Sequence, residues 1–292
     1  MAASDRDLPP GIVARALRAS DLGAALALSE EAGWNQNIAD WRIFLDLGGA
    51  VCLTRDDGSP IATAATLPYA GGFAWISMVI VSAPERRRGL ARWLLRDCVE
   101  TLAARQLVPL LDATPAGRTV YLGLGFQDCW TMRRLVGRAV RMPALERCAA
   151  TVRPLAPSDW PQIFAYDAAI FGADRGALLR RIAERLPQAA LVAERGGRIA
   201  GYLLGRDGRV MRQLGPLAAE DGDIAISLLV HAIAAVPAPL TVDVPDRHAA
   251  LGDWLATLGF ATERPLIRMA YGTNAAFGDV TRHFAIAGPE LG

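Results

Sequence analysis

The sequence predicts an α/β (α+β) chain made of two copies of one unit, each a mixed, mostly antiparallel sheet flanked by helices. Two observations carry this reading. From Trp75 to Arg105 a Val- and Ile-rich run (AWISMVIV) passes through an Arg- and Gly-bearing turn (SAPERRRGLA) into an amphipathic stretch (RWLLRDCVETLAAR), which reads strand, loop, helix. The second observation is a long internal repeat. Ser158-Asp159 corresponds to Ser20-Asp21 and Ile199-Ala200 to Ile61-Ala62, both at an offset of 138, and Leu258-Gly259-Phe260 echoes Leu124-Gly125-Phe126 at 134. A repeat of that length implies two copies of one domain. They are expected over residues 1–137 and 151–292, with Gly137–Ala150 as the linker.

Within the first copy, local signals set the elements. Ile12–Leu17 reads as a strand, and Ser20-Asp21 is expected to cap a helix to about Ala32, because a side-chain oxygen accepts the N–H groups that a first turn leaves free. Gly33-Trp34-Asn35-Gln36-Asn37 leads into a second helix around Asp40–Leu47. Ala50–Thr54 and Ile61–Leu67 form an antiparallel hairpin about Asp56-Asp57-Gly58-Ser59-Pro60, and Trp75–Val81 follows a Gly-Gly turn as a third strand. The next helix sets Leu90, Leu94, Cys98 and Leu102 on one stripe, with Arg92 and Arg96 elsewhere, so its apolar face fixes the turn against the sheet. Val108–Leu111 is a parallel strand entered through this helical crossover. Asp112–Gly117 leads into a short helix carrying Tyr121; a glycine before Phe126 stops it, and Trp130–Val136 is expected to return as the strand that completes the unit.

Composition bounds the function. With 52% hydrophobic and 21% charged residues among 292, the chain has ordinary soluble globular composition, enough for one large or two medium domains. A net charge of +1 leaves no footprint for a general nucleic-acid binder; the local cluster Arg86, Arg87, Arg88, Arg92 and Arg96 more simply serves a phosphorylated cofactor. No apolar run is long enough to cross a bilayer, and Met1–Val13 carries acids and prolines where a signal peptide has an apolar core. A cytoplasmic protein without membrane or nucleic-acid partners is expected. All 31 basic residues are Arg, which removes Schiff-base chemistry through a lysine. Cys52, Cys98, Cys129 and Cys148 are widely spaced and read as buried thiols, not as a zinc site or a disulfide framework. His231, His248 and His283 all lie in the second half, so the first half supplies no histidine base, and no metal is expected.

The turn from Arg86 to Ala91 is suited to an anion. A helix begins with N–H groups that lack internal partners at the positive end of its dipole. Gly89 lets a ligand approach the backbone, and Ala91 adds almost no bulk. No G-K-[ST] occurs, so this is not a Walker loop. Arg86-Arg87-Arg88-Gly89-Leu90-Ala91 fits R/Q-x-x-G-x-G/A, and Tyr121-Leu122-Gly123-Leu124-Gly125-Phe126 fits Y-x-x-L-G-F. With these two motifs, in this order and on these element types, Ile12–Val136 resembles the GNAT N-acetyltransferase superfamily.

The resemblance implies a GNAT-like domain in each half and an N-acetyltransferase with acetyl-CoA as co-substrate. It assigns the pyrophosphate to Arg86, Arg87, Arg88, Gly89, Leu90, Ala91 and Arg92, and the pantetheine and thioester to Met78, Val79, Ile80 and Val81; Thr114, Gly117 and Tyr121 join the cofactor contacts. It further implies direct attack by an amine, without an acyl-enzyme, and a tyrosine, Tyr121, that protonates the leaving thiolate. A phenol, neutral at pH 7, suits that task; a core tyrosine on a helix face is the plainer alternative. The base stays open among Glu30, Glu31, Asp40, Asp112 and a held water. In this fold the first helices wall the acceptor site, so Trp34, Trp41 and Asn35 are candidate acceptor contacts, with packing as the alternative for both tryptophans and a turn as the alternative for Asn35 and Asn37. Asp243, in the second half, is a further candidate, but it stands where Asp112 stands in the first, which favours structure for both. The acceptor is expected to be a small-molecule amine; the alternatives are a non-catalytic acyl-CoA sensor and an acyltransferase for peptide or aminoacyl amines.

In the second half, Ala190–Glu194, Ile199–Leu204 and Leu240–Val244 fill the matching strand slots. Leu217–Asp223 replaces the Arg-rich turn, and its Glu220, Asp221 and Asp223 would repel a pyrophosphate. Trp254 and Leu255 stand where the tyrosine would be. A degenerate copy is therefore expected. The whole chain resembles two-copy GNAT proteins with one working half, down to the closing Ile286–Gly292 (IAGPELG).

Overall fold

The computed structural model describes residues 8–143 and 150–292. Cys148, the middle of the expected linker and the first seven residues of the segment read against a signal peptide lie outside them. The first half runs β1 (Ile12–Ala16), α1 (Leu22–Glu31), α2 (Ile38–Leu47), β2 (Gly49–Arg55), β3 (Pro60–Tyr69), β4 (Phe73–Val81), α3 (Leu90–Ala103), β5 (Val108–Ala113), α4 (Pro115–Leu122) and β6 (Phe126–Gly137). The second repeats that order with β7 (Thr151–Pro154), α5 (Trp160–Phe171), α6 (Gly176–Arg185), β8 (Leu191–Arg195), β9 (Arg198–Arg206), β10 (Arg212–Ala219), α7 (Gly222–Ala235), β11 (Leu240–Pro245), α8 (Ala249–Thr257) and β12 (Ala261–Tyr271). It then adds a short strand, β13 (His283–Ala285).

The helix starts divide by mechanism. Asn37 caps α2, its side chain accepting from the N–H groups of Ala39 (3.0 Å) and Asp40 (3.3 Å). Asp21 does not cap α1 as expected. A 3₁₀ turn at Ala19–Asp21 folds its carboxylate backward, onto the Arg18 N–H (2.8 Å) and the Arg15 guanidinium (2.7 and 3.0 Å). Asp159 repeats this with the Ala156 N–H and Arg153, so the repeat extends to side-chain detail.

The strands form one continuous sheet in the order β1-β2-β3-β4-β5-β12-β6-β11-β10-β9-β8-β7. Neighbours are antiparallel except at β4/β5 and β10/β11, where α3 and α7 provide parallel crossovers. The expectation that Trp130–Val136 closes the first unit's own sheet is corrected here. β6 pairs with β11 of the second half (Leu135 opposite Val242), and β12 takes the place beside β5 (Met269 opposite Leu111). The two exchanged strands also pair with each other from Ala261/Val136 to Tyr271/Phe126.

Two ion pairs related by the repeat fasten the exchange. Arg268 on β12 meets Asp112 on β5 with two bonds of 2.8 Å, and Arg134 on β6 meets Asp243 on β11 with two more of 2.8 Å. All four side chains are buried. The Arg268 guanidinium also lies between Trp75 and Trp130, 4.3 Å from each ring centre.

The halves share core as well as sheet. Trp41, Phe44, Tyr69, Phe73 and Trp75 pack in one apolar cluster with Trp160, Phe171, Leu179 and Tyr202. Residues 286–292 run into that cluster. Leu291 is fully buried, its carbonyl accepts from the Tyr69 hydroxyl (2.6 Å), and the Pro289 carbonyl accepts from the Trp75 indole (3.0 Å).

Candidate active site

A bulge opens the site. Ser77 faces Ala65 and Ile80 faces Thr63, so Met78 and Val79 together oppose Ala64 alone. Met78 holds φ at +53°, unusual for a non-glycine, and its carbonyl accepts from the Thr63 hydroxyl (2.9 Å). β4 pairs with β5 only over Phe73–Trp75, and the strands then part. The wedge between them is a cleft of about 280 Å³. Met78, Val79, Ile76 and Ser77 line one side; Leu111, Asp112, Thr114 and Tyr121 line the other. Trp34 and Gln36 reach it from the α1–α2 turn, and the second half contributes Arg264 and Leu266 of β12 with Pro289 and Glu290.

At the end of β4 the chain turns into α3. Gly89 is the N-cap at φ +82°, with open space where a Cβ would point. The first bond into the helix is from the Trp93 N–H to the Gly89 carbonyl, so the N–H groups of Leu90, Ala91 and Arg92 have no intrahelical acceptor. The arginines are less free than the motif implies. Arg86 donates to the Val81 carbonyl (3.1 Å) and lies 3.6 Å from Glu31, while Arg88 and Arg55 both pair with the buried Glu85. Arg87 is exposed at φ +63°. Arg86 and Arg88 thus shape the turn, and its backbone faces outward.

Tyr121 is half-buried against Phe126 and lines the cleft. Burial raises its phenol above the ordinary value, so it is protonated at neutral pH. Gly117 stands one turn earlier, where a Cβ would come within 3.0 Å of the Tyr121 ring, and Thr114 caps α4 by accepting from the Gly117 N–H (3.2 Å). Gly117 therefore seats the ring, whereas Thr114 both caps and lines the cleft. Ile80 and Val81 carry the strand from the bulge to the turn.

Other candidate residues fall elsewhere. Asn35 is buried and joins the halves: its amide donates to the Met211 carbonyl (2.9 Å) and accepts from the N–H groups of Val210 (2.8 Å) and Met211 (2.9 Å). Asp243 does not reach the cleft, being fully buried with Arg134 and with Gln213 (2.8 Å). Asp40 is committed to Arg185 and Arg206, and Glu31 accepts from the Ala83 N–H at the turn. Asp112 lines the cleft but is held by Arg268. Sequence reasoning missed Gln36, Ser77, Arg264 and Glu290. Gln36, Ser77 and Glu290 lay in segments the sequence marked, the α1–α2 turn, the third strand and the closing segment; Arg264 reaches the cleft through the strand exchange, which no motif marks.

The second half has the same wedge in a different state. β10 and β11 pair only at Arg212/Leu240 and Gln213/Thr241, and β13 fills the gap beyond, with Leu217 opposite Ala285 and Ala218 opposite His283. The Ile286 N–H closes onto the Asp243 carbonyl (3.1 Å). At the start of α7 the Asp221 carboxylate already accepts from the Ile224 N–H (3.0 Å), and Glu220 is bound by Arg195 and Arg198. Leu255 is buried on α8 at the repeat position of Tyr121.

Comparison with known proteins agrees with this two-part plan. The sequence model described as Acetyltransferase (GNAT) family matches residues 20–126, and that described as Acetyltransferase (GNAT) domain matches residues 163–285. An uncharacterized N-acetyltransferase of Bacillus subtilis, YitH, is 26% identical over 190 residues, spanning 65% of this chain and 67% of that protein. The fold superposes on a putative acetyltransferase of Pyrococcus horikoshii with a TM-score of 0.80 at 18% identity, covering 99% of both chains. It also superposes on a tandem GNAT protein of the clavulanic acid biosynthesis pathway with a TM-score of 0.66 at 13% identity, covering 91% of this chain and 100% of that one. Carrying one such domain in each half, the chain belongs to the GNAT acetyltransferases, as an N-acetyltransferase with two GNAT domains in tandem.

Proposed function

We propose that the first half binds acetyl-CoA in the β4/β5 wedge and transfers the acetyl group directly to the amine of a small molecule, while the second half binds no CoA. The carrying observation is the contrast between the wedges: one is open beside a helix start with unused N–H groups, the other is filled by β13 and capped by Asp221. GNAT enzymes take their acetyl group from acetyl-CoA as a thioester, and the open wedge has parts that fit such a donor. The bulge sets Met78 and Val79 against Ala64 alone, so the β3 ladder leaves backbone N–H capacity beside the cleft, where fixed donors would stabilise the charge that develops on a thioester carbonyl. The Arg86–Ala91 turn offers its N–H groups to a pyrophosphate, and Tyr121, neutral and in the cleft, offers a proton to the departing sulfur. Holding donor and amine together supplies much of the acceleration without a covalent enzyme intermediate.

Calorimetric titration with CoA is expected to give one site per chain. Two sites would overturn the assignment of the second half. Thiol release from acetyl-CoA with a panel of amines then tests catalysis; binding without turnover across the panel would favour an acyl-CoA sensor.

A further inference from the structure

Four buried polar atoms around the cleft have no hydrogen-bond partner among the described residues: Gln36 Oε1, Ser77 Oγ, Arg264 Nε and Glu290 Oε2. Buried polar groups in folded proteins are almost always paired, so four orphans on residues that surround one cleft mark it as a place for a polar occupant. Glu290 is the most informative. It is 3% exposed, and its Oε1 accepts from Arg206, which is itself paired with Asp40. That leaves one carboxylate oxygen held in place with nothing bound to it. Gly288 packs beside this pair, where a Cβ would lie 3.0 Å from Oε2 and 2.7 Å from Arg206 Nη2. Arg264 is the opposite charge. It forms no ion pair among the described residues: Arg134 stands near it as a like charge, and although Asp243, Glu263 and Glu290 lie in its surroundings, none of them binds its guanidinium.

Resting on the acetyl-CoA reading above, we infer that the second half builds the acceptor subsite on the first half's cleft, and that it takes a small zwitterion whose ammonium sits at Glu290 Oε2 and whose carboxylate sits at Arg264. Gln36 and Ser77 complete its hydrogen bonds. A cleft of about 280 Å³ that also admits the thioester arm leaves room inside it for a group of amino-acid size. The placement also supplies the missing base. The ammonium passes one proton to Glu290 Oε2, and from there to solvent. The freed nitrogen bonds to the acetyl carbon, the carbon–sulfur bond breaks, and the thiolate takes the Tyr121 proton. The phenolate is restored by the second proton that the nitrogen sheds as the amide forms, so the products are the acetylated zwitterion, CoA thiol and one solvent proton.

The test compares matched acceptors on the full chain: glycine, β-alanine and γ-aminobutyrate, alkylamines of the same lengths, and the corresponding diamines. Thiol release is read after CoA binding has been measured by calorimetry. Wild type is expected to favour the aminocarboxylates at least ten-fold in kcat/KM. Arg264→Met should bring them down to the level of the alkylamines, and Arg264→Glu should shift preference toward the diamines. Glu290→Gln should lower turnover on all acceptors with CoA affinity kept; should that variant not fold, the two Arg264 variants decide alone. CoA bound with no preference for aminocarboxylates, or with no turnover of any acceptor, overturns the subsite, as does a preference that survives Arg264→Met. Failure of wild type to bind CoA overturns the acetyl-CoA reading and the subsite with it.

Discussion

Tyr121 and Gly89 are the two residues whose types the chemistry constrains most, and they fail differently when replaced. Tyr121→Phe keeps the ring that packs on Phe126 and removes only the proton donor. Turnover is expected to fall about 10²–10⁴-fold with CoA affinity unchanged; near wild-type turnover, with chemistry shown to limit the rate, would reduce Tyr121 to packing. Gly89→Val places a β-branched residue at φ +82°, strained even though the surrounding space is open, and sets its methyls before the helix N–H groups. CoA affinity should fall, and an unchanged dissociation constant by calorimetry would remove the turn from the site. Both positions were legible in the sequence because each belongs to a spaced motif on a readable element. Arg86 and Arg88 were legible only by type. Their partners, the Val81 carbonyl, Glu31 and Glu85, come from elsewhere in the fold, so a motif could not show that they brace the turn.

At the scale of elements, the exchange of β6 and β12 turns on which strand each one borders. The last strands match at the repeat offset of 134 in Met132, Leu135 and Val136 against Leu266, Met269 and Ala270, so the pattern names both strands but not their neighbours. The register of Asp112 with Arg268 and of Asp243 with Arg134 fastens the exchanged strands, but the two arginines stand at one repeat position, so the pairs hold the exchange without selecting it. Swapping either strand home would change the partner of each carboxylate. The coincidence of Asp112 and Asp243 at one repeat position was readable as structural; the partners were not, since both arginines lie across the exchange. Asp112→Asn removes the charge that neutralises a buried guanidinium. It is expected to destabilise by about 3–5 kcal/mol in denaturant titration. Replacing both partners, as Asp112→Leu with Arg268→Met, should recover part of that loss, because no charge is then left buried alone. A single Asn variant as stable as wild type would show that the pair holds nothing together.

For the whole molecule, the shared sheet and core decide whether the halves are separable. The repeat predicted a first unit completed by its own last strand, Trp130–Val136, but three features cross the boundary. β5 borders β12, the aromatic cluster around Tyr69 and Trp75 is closed by Trp160 and Phe171, and residues 286–292 hydrogen-bond into the first half. Cutting at Val136 would leave the β5 edge unpaired and uncover large aromatic side chains, the two exposures that most promote aggregation. It would also remove Arg264 and Glu290 from the cleft. The fragment 12–136 is therefore expected to be insoluble or unfolded. The full chain is expected to unfold in one calorimetric transition whose van't Hoff and calorimetric enthalpies agree, because neither half keeps its core when the other opens. Two separated transitions, or a soluble fragment with a native-like circular dichroism spectrum, would mean that each half closes its own sheet when alone, and that the exchange joins two finished domains instead of completing them.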